Sequence, residues 1–309
     1  MKLLGFLKRV RVALRNLDEV LEAYYLRPEL ETKIKNQEGI LADFNLKRAF
    51  NLKHGGSEIL TSKAQIIELS KKVVVSDTNF DLIRIGAKND GGYLVPDELS
   101  SIRSLFSPGV DSISDFEIYF ASQGVPCYLA DASVKSPPVA HENFHFQQKF
   151  VYQGSDVGDY INFNAWILDN VPLEGDSALQ MDIEGAEWEI ILGMSERVLK
   201  NFRFMVIEFH GMHQMAYQLP FQTISAVFSK LLTDFEIVHV HANNAESSQS
   251  IYDIEIPPLV EVTFVRKDFI TRSKPKSHIA HASDAPNVPG LPDVKLGDFW
   301  SYTDTFGAV

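Results

Sequence analysis

The sequence is poor in the residues that several common site chemistries need. It has a single cysteine, Cys127, in 309 residues, which excludes an internal disulfide and any cysteine-built metal site. Within Val125-Pro126-Cys127-Tyr128-Leu129 this residue reads as a small buried side chain. Lys and Arg number 29 against 41 Asp and Glu, a formal net charge of -12. So acidic a chain lacks the basic face that nucleic acid requires. No apolar run is long enough to span a bilayer. The glycine fingerprint of dinucleotide sites and the P-loop lysine of NTP sites are both missing. Lys8, Arg9 and Arg11 interrupt the apolar N-terminus, so it does not read as a signal peptide, and a cytoplasmic protein is expected.

The composition is otherwise that of a globular protein, 45% hydrophobic and 23% charged, and the length suits one large α/β domain with added elements. Over residues 1 to about 26, Leu3, Leu4, Leu7, Val10, Leu14, Leu17 and Leu21 recur at helical spacing, among Lys2, Lys8, Arg9, Arg11 and Arg15. Such a basic amphipathic helix suits peripheral contact with an anionic membrane, and equally a docking face on the domain or on a second copy. The composition divides the chain into an N-terminal helical extension (1–79), an α/β domain (80–270) and a surface tail rich in Pro, Ser, Asp and Asn (271–309).

From residue 80 short apolar runs alternate with helix-like stretches. Strands are expected near residues 82–86 and 93–96, around the turn Asn89-Asp90-Gly91-Gly92, whose glycines supply positive φ. Further strands are expected at 102–106, 125–130, 150–152, 178–181, 204–209, 235–240 and 259–265. Helices are expected after a cap at Ser114, over about 158–168, after Gly185 and over 222–232. This alternation predicts a mostly parallel sheet with helices on both faces. The last two strands follow each other without a good helix between them, so the final strand should run antiparallel. Its N-terminal end then joins the rim where the other strands end, bringing Glu261 beside Asp182, Glu208, His210, His239 and His241.

The stretch Ala178 to Gly193 organises the chain: a buried strand ends in Asp182 and Glu184, Gly185 turns, and a helix follows. Open α/β sheets hold ligands at such strand ends. A polar strand end with a helix cap is the plainer reading of the same residues. Glu208 and His210 form a second polar pair at the end of the next strand. Glu187 and Glu189 read as solvated or tied to the helix start, and His239, between Val238 and Val240, as a core histidine. Ser107-Pro108-Gly109-Val110-Asp111, between a strand and a helix, can turn backbone N–H groups toward a ligand. Asp131 ends the next strand, where an acid commonly accepts ribose hydroxyls.

Asp182-Ile183-Glu184-Gly185-Ala186-Glu187-Trp188 resembles the signature of FkbM-type S-adenosylmethionine (SAM)-dependent methyltransferases. Arg84-Ile85-Gly86 with Asn89-Asp90-Gly91-Gly92-Tyr93 is similar to the N-terminal hairpin of one subgroup. Val240-His241-Ala242-Asn243-Asn244 and Val260-Glu261-Val262-Thr263 are similar to its last two strands, and Ala285-Pro286-Asn287 with Pro292-Asp293 to its tail. The resemblance covers roughly residues 82–300. It implies the class I methyltransferase fold, a Rossmann-like α/β sheet of seven mostly parallel strands with the last antiparallel. It places SAM across the ends of the first strands, with Ser107, Gly109 and Asp111 by its methionine part, Asp131 by its ribose, Asp156 near its adenine and Asp182 alongside.

The implied activity is O-methylation of a carbohydrate hydroxyl, in a glycan, a glycolipid or a nucleotide-linked sugar. Methyl transfer is an in-line displacement that depends on alignment, and a sugar hydroxyl needs a base or a metal to make it a nucleophile. His210 is the first choice of base, since imidazole titrates near neutral pH, with Asp182 and Glu208 completing the catalytic set. Asp182 and Glu208 are alternatively ligands for Mg2+ or another divalent cation. Acceptor binding falls to Lys88, Asp90, Tyr93, Glu184, His241, Asn243, Asn244 and Glu261. The first loop holds only one glycine, which opens a rival reading: a methyltransferase-like module without turnover that binds glycans or serves in assembly. A nucleotide-sugar enzyme on a dinucleotide fold is a third reading that lacks its fingerprint.

Overall fold

The structure is a computed structural model that describes residues 59–301; the amphipathic segment at residues 1–26 lies outside them. The described chain begins with helix α1 (Lys63–Ser70), strand β1 (Ser76–Thr78) and the hairpin β2 (Leu82–Gly86) and β3 (Gly92–Pro96). Then come β4 (Ile102–Pro108), α2 (Asp115–Ala121), β5 (Cys127–Ala130), β6 (Phe144–Gln147) and the short strands β7 (Phe150–Tyr152) and β8 (Tyr160–Asn162). Helix α3 (Phe163–Asn170), β9 (Asp176–Met181), α4 (Glu187–Gly193), α5 (Glu196–Leu199) and β10 (Phe202–His210) follow. The chain continues through α6 (Gln218–Asp234), β11 (Phe235–Ala242), the small hairpin β12 (Gln249–Ile251) and β13 (Ile254–Ile256), β14 (Leu259–Arg266) and β15 (Ser273–Pro275).

The main sheet has seven strands in the order β6-β5-β4-β9-β10-β14-β11. Only β14 is antiparallel to its neighbours. Counted along the chain, the order is 3-2-1-4-5-7-6, the Rossmann-like class I arrangement. Successive residues of each strand enter opposite cores, as the two-residue repeat requires. Phe106, Leu179 and Met205 face one core with Trp166, Phe228, Phe299 and Trp300; Leu105, Ala178 and Phe204 face the other with Phe116, Phe120 and Cys127. Because β9 and β10 are covered on both faces, they read as continuous apolar runs rather than alternating ones. Helix α6 covers the first face through Phe221, Ile224, Val227, Phe228 and Leu231, spaced along one side. The β2–β3 hairpin and α2 cover the other face.

Four expectations change. The third sheet strand is β6, not residues 150–152, which instead pair with β8 in a separate two-stranded sheet. As an edge strand, Phe144-His145-Phe146-Gln147 is only half covered and carries too little apolar signal to be recognised. The helix expected from residue 158 starts at Phe163, because Asn162 caps it through Oδ1 and the residues before it form β8. The tail does more than lie on the surface: β15 pairs with β1, and Phe299 and Trp300 are completely buried. Ile66, Leu69, Val73 and Val75 also enter the core, from a region assigned by composition to the N-terminal extension. Among the described residues no helix is long and apolar enough to cross a membrane.

Trp300→Ala should lower stability by about 3–5 kcal/mol, read by urea denaturation. A change under about 1 kcal/mol would mean that the tail is not part of the core.

Candidate functional site

Strand order reverses between β4 and β9, the topological switch point at which open α/β sheets hold ligands. The loops leaving these strands touch closely. Gly109 has φ +85°, and a Cβ there would lie 1.6 Å from the Asp182 carbonyl oxygen. Glycine is therefore required for the backbone contact itself. Asp131, at the end of β5, fixes the same loop. Its Oδ2 accepts from Val110 N (3.1 Å) and Asp111 N (2.9 Å), while Oδ1 accepts from Ser133 N (2.8 Å) and Ser133 Oγ (2.6 Å). All four of its lone-pair positions are thereby engaged within the chain. Asp111 sits at φ 42° with its side chain exposed.

At the end of β9, Glu184 (φ 55°) and Gly185 (φ 101°) turn the chain into α4. A non-glycine residue in this region costs on the order of 1–3 kcal/mol. Fully buried Glu187 holds the turn, with Oε1 accepting from Ile183 N (3.0 Å) and Gly185 N (3.1 Å). The same oxygen lies 3.2 Å from His210 Nδ1 at the end of β10. His210 Nε2 lies 3.4 Å from Glu184 Oε2 and 3.8 Å from Asp182 Oδ1. Burial disfavours the imidazolium, but the Glu187 bond and the charges of Glu187, Asp182 and Glu208 outweigh it and push His210 up to about 9. Burial raises the Asp182 carboxyl to about 7; His210 lowers it, while Glu187, Glu184 and Asp90 add to the rise.

One strand further, Glu208 of β10 stands opposite Glu261 of β14, which in turn pairs with His241 of β11. Glu208 Oε1 accepts from Asn243 Nδ2 (2.9 Å), and Glu261 Oε1 from Asn287 Nδ2 (2.6 Å). The same Asn287 nitrogen donates to Asp90 Oδ1 in the hairpin turn (3.1 Å), and His241 Nδ1 lies 3.3 Å from Glu261 Oε2. Burial, then the charges of Asp182 and Glu261, raise Glu208 well above the carboxylate range. Burial lowers His241, but Glu261 and nearby aspartates outweigh it, for a net rise. An open cavity of about 450 Å³ borders this side, lined by Asn244, Ala245, Ser247, Glu255, Pro292 and Asp293 among others.

A chain of buried polar groups leads inward. Ser107 Oγ lies 2.6 Å from Glu117 Oε1 and 2.8 Å from Gln180 Oε1. One hydroxyl proton cannot serve both acceptors at once, so Ser107 Oγ donates to Glu117 or to Gln180, and a protonated Glu117 frees it for Gln180. Gln180 Nε2 then donates to the Tyr93 hydroxyl (3.2 Å). Burial pushes Glu117 up to about 7, partly offset by the Ser107 bond. Burial, with the charges of Asp182, Glu261 and Glu208, keeps the Tyr93 phenol protonated.

The rim thus gathers Asp90, Tyr93, Asp182, Glu184, Glu208, His210, His241, Asn243 and Glu261. Asp182 and Glu208, read as a metal pair, fall into separate groups: Asp182 with Glu187 and His210, and Glu208 with Asp90 and Glu261. Ser107 is completely buried and faces the core chain. Asp156 is exposed and accepts from Asn162 N, while Lys88 is exposed on the hairpin turn. Asn244 ties down the tail, bonding the carbonyls of Val288, Leu291 and Pro292 and accepting from Val288 N. His239 is a core histidine bonded to Asp284 (2.9 Å). Ser114 precedes α2 but makes no side-chain cap. The sequence reading gave no site role to Glu187, Glu117, Gln180 or Asn287. Gln180 had a signal: an amide inside an apolar strand needs partners.

The model of the methyltransferase FkbM domain matches residues 43–236. No curated protein matches the chain. Among solved structures, a dimethyladenosine transferase from Plasmodium falciparum is similar over 68% of this chain and 64% of its own, at 11% identity and a TM-score of 0.31. The chain thus spans less than two thirds of that structure, and a likeness at this level bears on neither fold nor activity.

The buried relay gives a test. The folded-state pKa of Glu117, about 7, exceeds an unfolded value of about 4.3, so its contribution is present below the unfolded value and is lost as pH rises through the folded one. Glu117→Gln mimics the protonated acid and should remove that decline, gaining up to about 3 kcal/mol over wild type at pH 8. Equal urea midpoints of the two proteins from pH 4 to 8 would refute the relay.

Proposed function

The chain belongs to the FkbM methyltransferase family, and on that premise we propose that it is a SAM-dependent O-methyltransferase acting on a carbohydrate hydroxyl. The observation that carries this reading is a set of buried polar atoms without hydrogen-bond partners on one rim: Asp182 Oδ1, Glu208 Oε2 and Asn287 Oδ1. A buried polar atom left unpaired costs about 1–3 kcal/mol, and a hydroxyl-rich acceptor can satisfy such atoms where an apolar one cannot. SAM, when bound, supplies an electrophilic methyl group on a cationic sulfonium. The donor set fits that charge, since the strand ends present Asp182 Oδ1 and the exposed carboxylates of Asp111 and Glu184.

Asp182 takes the role of base in this reading. A carboxyl raised to about 7 is half free at neutral pH and can still accept a proton. His210 was the expected base, but three carboxylates surround it and hold its proton. It serves instead as a fixed positive charge beside Asp182. His241, Asn243 and Glu261, with the neighbouring cavity, face the acceptor. Asp131 holds the cofactor loop in shape, and a ribose hydroxyl would take the place of Ser133 Oγ on its carboxylate. That engaged carboxylate also favours the second reading, a glycan-binding module of the same fold without turnover.

Calorimetry with S-adenosylhomocysteine separates the two. Binding is expected, and Asp182→Asn should retain it within a few-fold while kcat on carbohydrate acceptors falls about 10²–10⁴-fold. In wild type kcat/KM should rise with pH through about 7, and the variant should lack that limb. No heat from folded protein would leave the binding module standing. An unchanged kcat in Asp182→Asn would remove the base assignment.

A further inference from the structure

Asp90, Glu208 and Glu261 come from three segments: the hairpin turn, β10 and the reversed strand β14. One carboxylate oxygen of each lies within 4.8 Å of the others. Glu208 and Glu261 are directly opposed in the antiparallel register, where like charges repel, and they are only 3% and 5% exposed. Among the described residues no lysine or arginine pairs with any of the three. Asn287 links Asp90 to Glu261, but an amide carries no charge. The Asp182, Glu187 and His210 group differs, because a histidine is one of its own members and Glu187 is engaged with backbone N–H groups; here the one imidazole, His241, pairs with Glu261 and not with Glu208 or Asp90.

A second observation points to a ligand. Glu208 Oε2 is buried and has no hydrogen-bond partner, while Oε1 of the same carboxylate is held by Asn243. Asn287 holds Glu261 Oε1 in the same way. Each buried acid therefore has one oxygen fixed by an amide, the arrangement by which outer groups orient metal ligands. The donors are carboxylate oxygens with the His241 imidazole alongside, a set suited to Mg2+ or Mn2+ and unsuited to soft metals.

We propose that Asp90, Glu208 and Glu261 form a binding site for one divalent cation of the Mg2+ or Mn2+ type, with Asn243 and Asn287 orienting its ligands. The cation takes the place of the proton that burial keeps on Glu208, offsets the two facing carboxylates of β10 and β14, and leaves coordination positions for two neighbouring hydroxyls of an acceptor. That use rests on the carbohydrate reading above; the binding of the cation does not.

The test uses the full chain and Mn2+ alone, without cofactor or acceptor, by calorimetry and by the loss of the free Mn2+ paramagnetic signal. One site is expected, with a rise in Tm. Asp90→Asn, at an exposed turn, should fold normally and weaken binding at least about tenfold, and Asn287→Ala should do so by about 10–100-fold. Glu196→Gln, on a surface helix away from the site, should bind as wild type does. Absence of a single site at millimolar Mn2+, or binding that neither Asp90→Asn nor Glu261→Gln weakens, overturns the proposal. Methyl transfer without Mn2+ binding would overturn this site alone, whereas Mn2+ binding without S-adenosylhomocysteine binding would overturn the enzyme reading alone.

Discussion

The antiparallel pairing of β14 between β10 and β11 sets Glu261 level with Glu208 on one side and His241 on the other. A parallel strand would put its C-terminal residues on this edge. The reversed strand instead brings its second and third residues, so an acid just inside the strand reaches the rim. The site depends on that reversal. Without it, Asn287 would have no carboxylate to join to Asp90, and the hairpin turn would lose its link to the sheet.

Around this edge, carboxylates hold loops rather than point at solvent. Asp131 gathers four donors from two loops, and Glu187 gathers the N–H groups of the β9–α4 turn. Glu184 is kept in an unfavourable backbone region by the same turn. Charge-assisted bonds of this kind are short and directional. They let a loop with one glycine lie against the Asp182 carbonyl, so the closeness expected between loop and cofactor is found here between loop and loop.

Much of this was legible in sequence. The runs around Ala178, Phe204 and Phe235 read as strands because both of their faces are buried, and the acids and histidines at their ends had to meet at one edge. Strand β6 was not legible, since an edge strand carries His145 and Gln147 as comfortably as apolar residues. Asp131 and Glu187 were recognisable as acids at strategic positions, but not as acids already engaged, because backbone donors leave no mark in the sequence. The proton held by His210 depends on three carboxylates converging from a single loop, which spacing alone does not reveal. Phe299 and Trp300 sit among polar residues, and only the tertiary fold shows where they go.

The tail has a consequence for the order in which the molecule is made. A nascent chain that has just completed β14 holds all seven strands of the main sheet, yet it lacks Asn287, the Asn244 anchor points and the Trp300 plug. The rim is thus finished only after the sheet strands have been made. A chain released early, or nicked after β14, would keep its sheet and its acids but not the amide that aligns them.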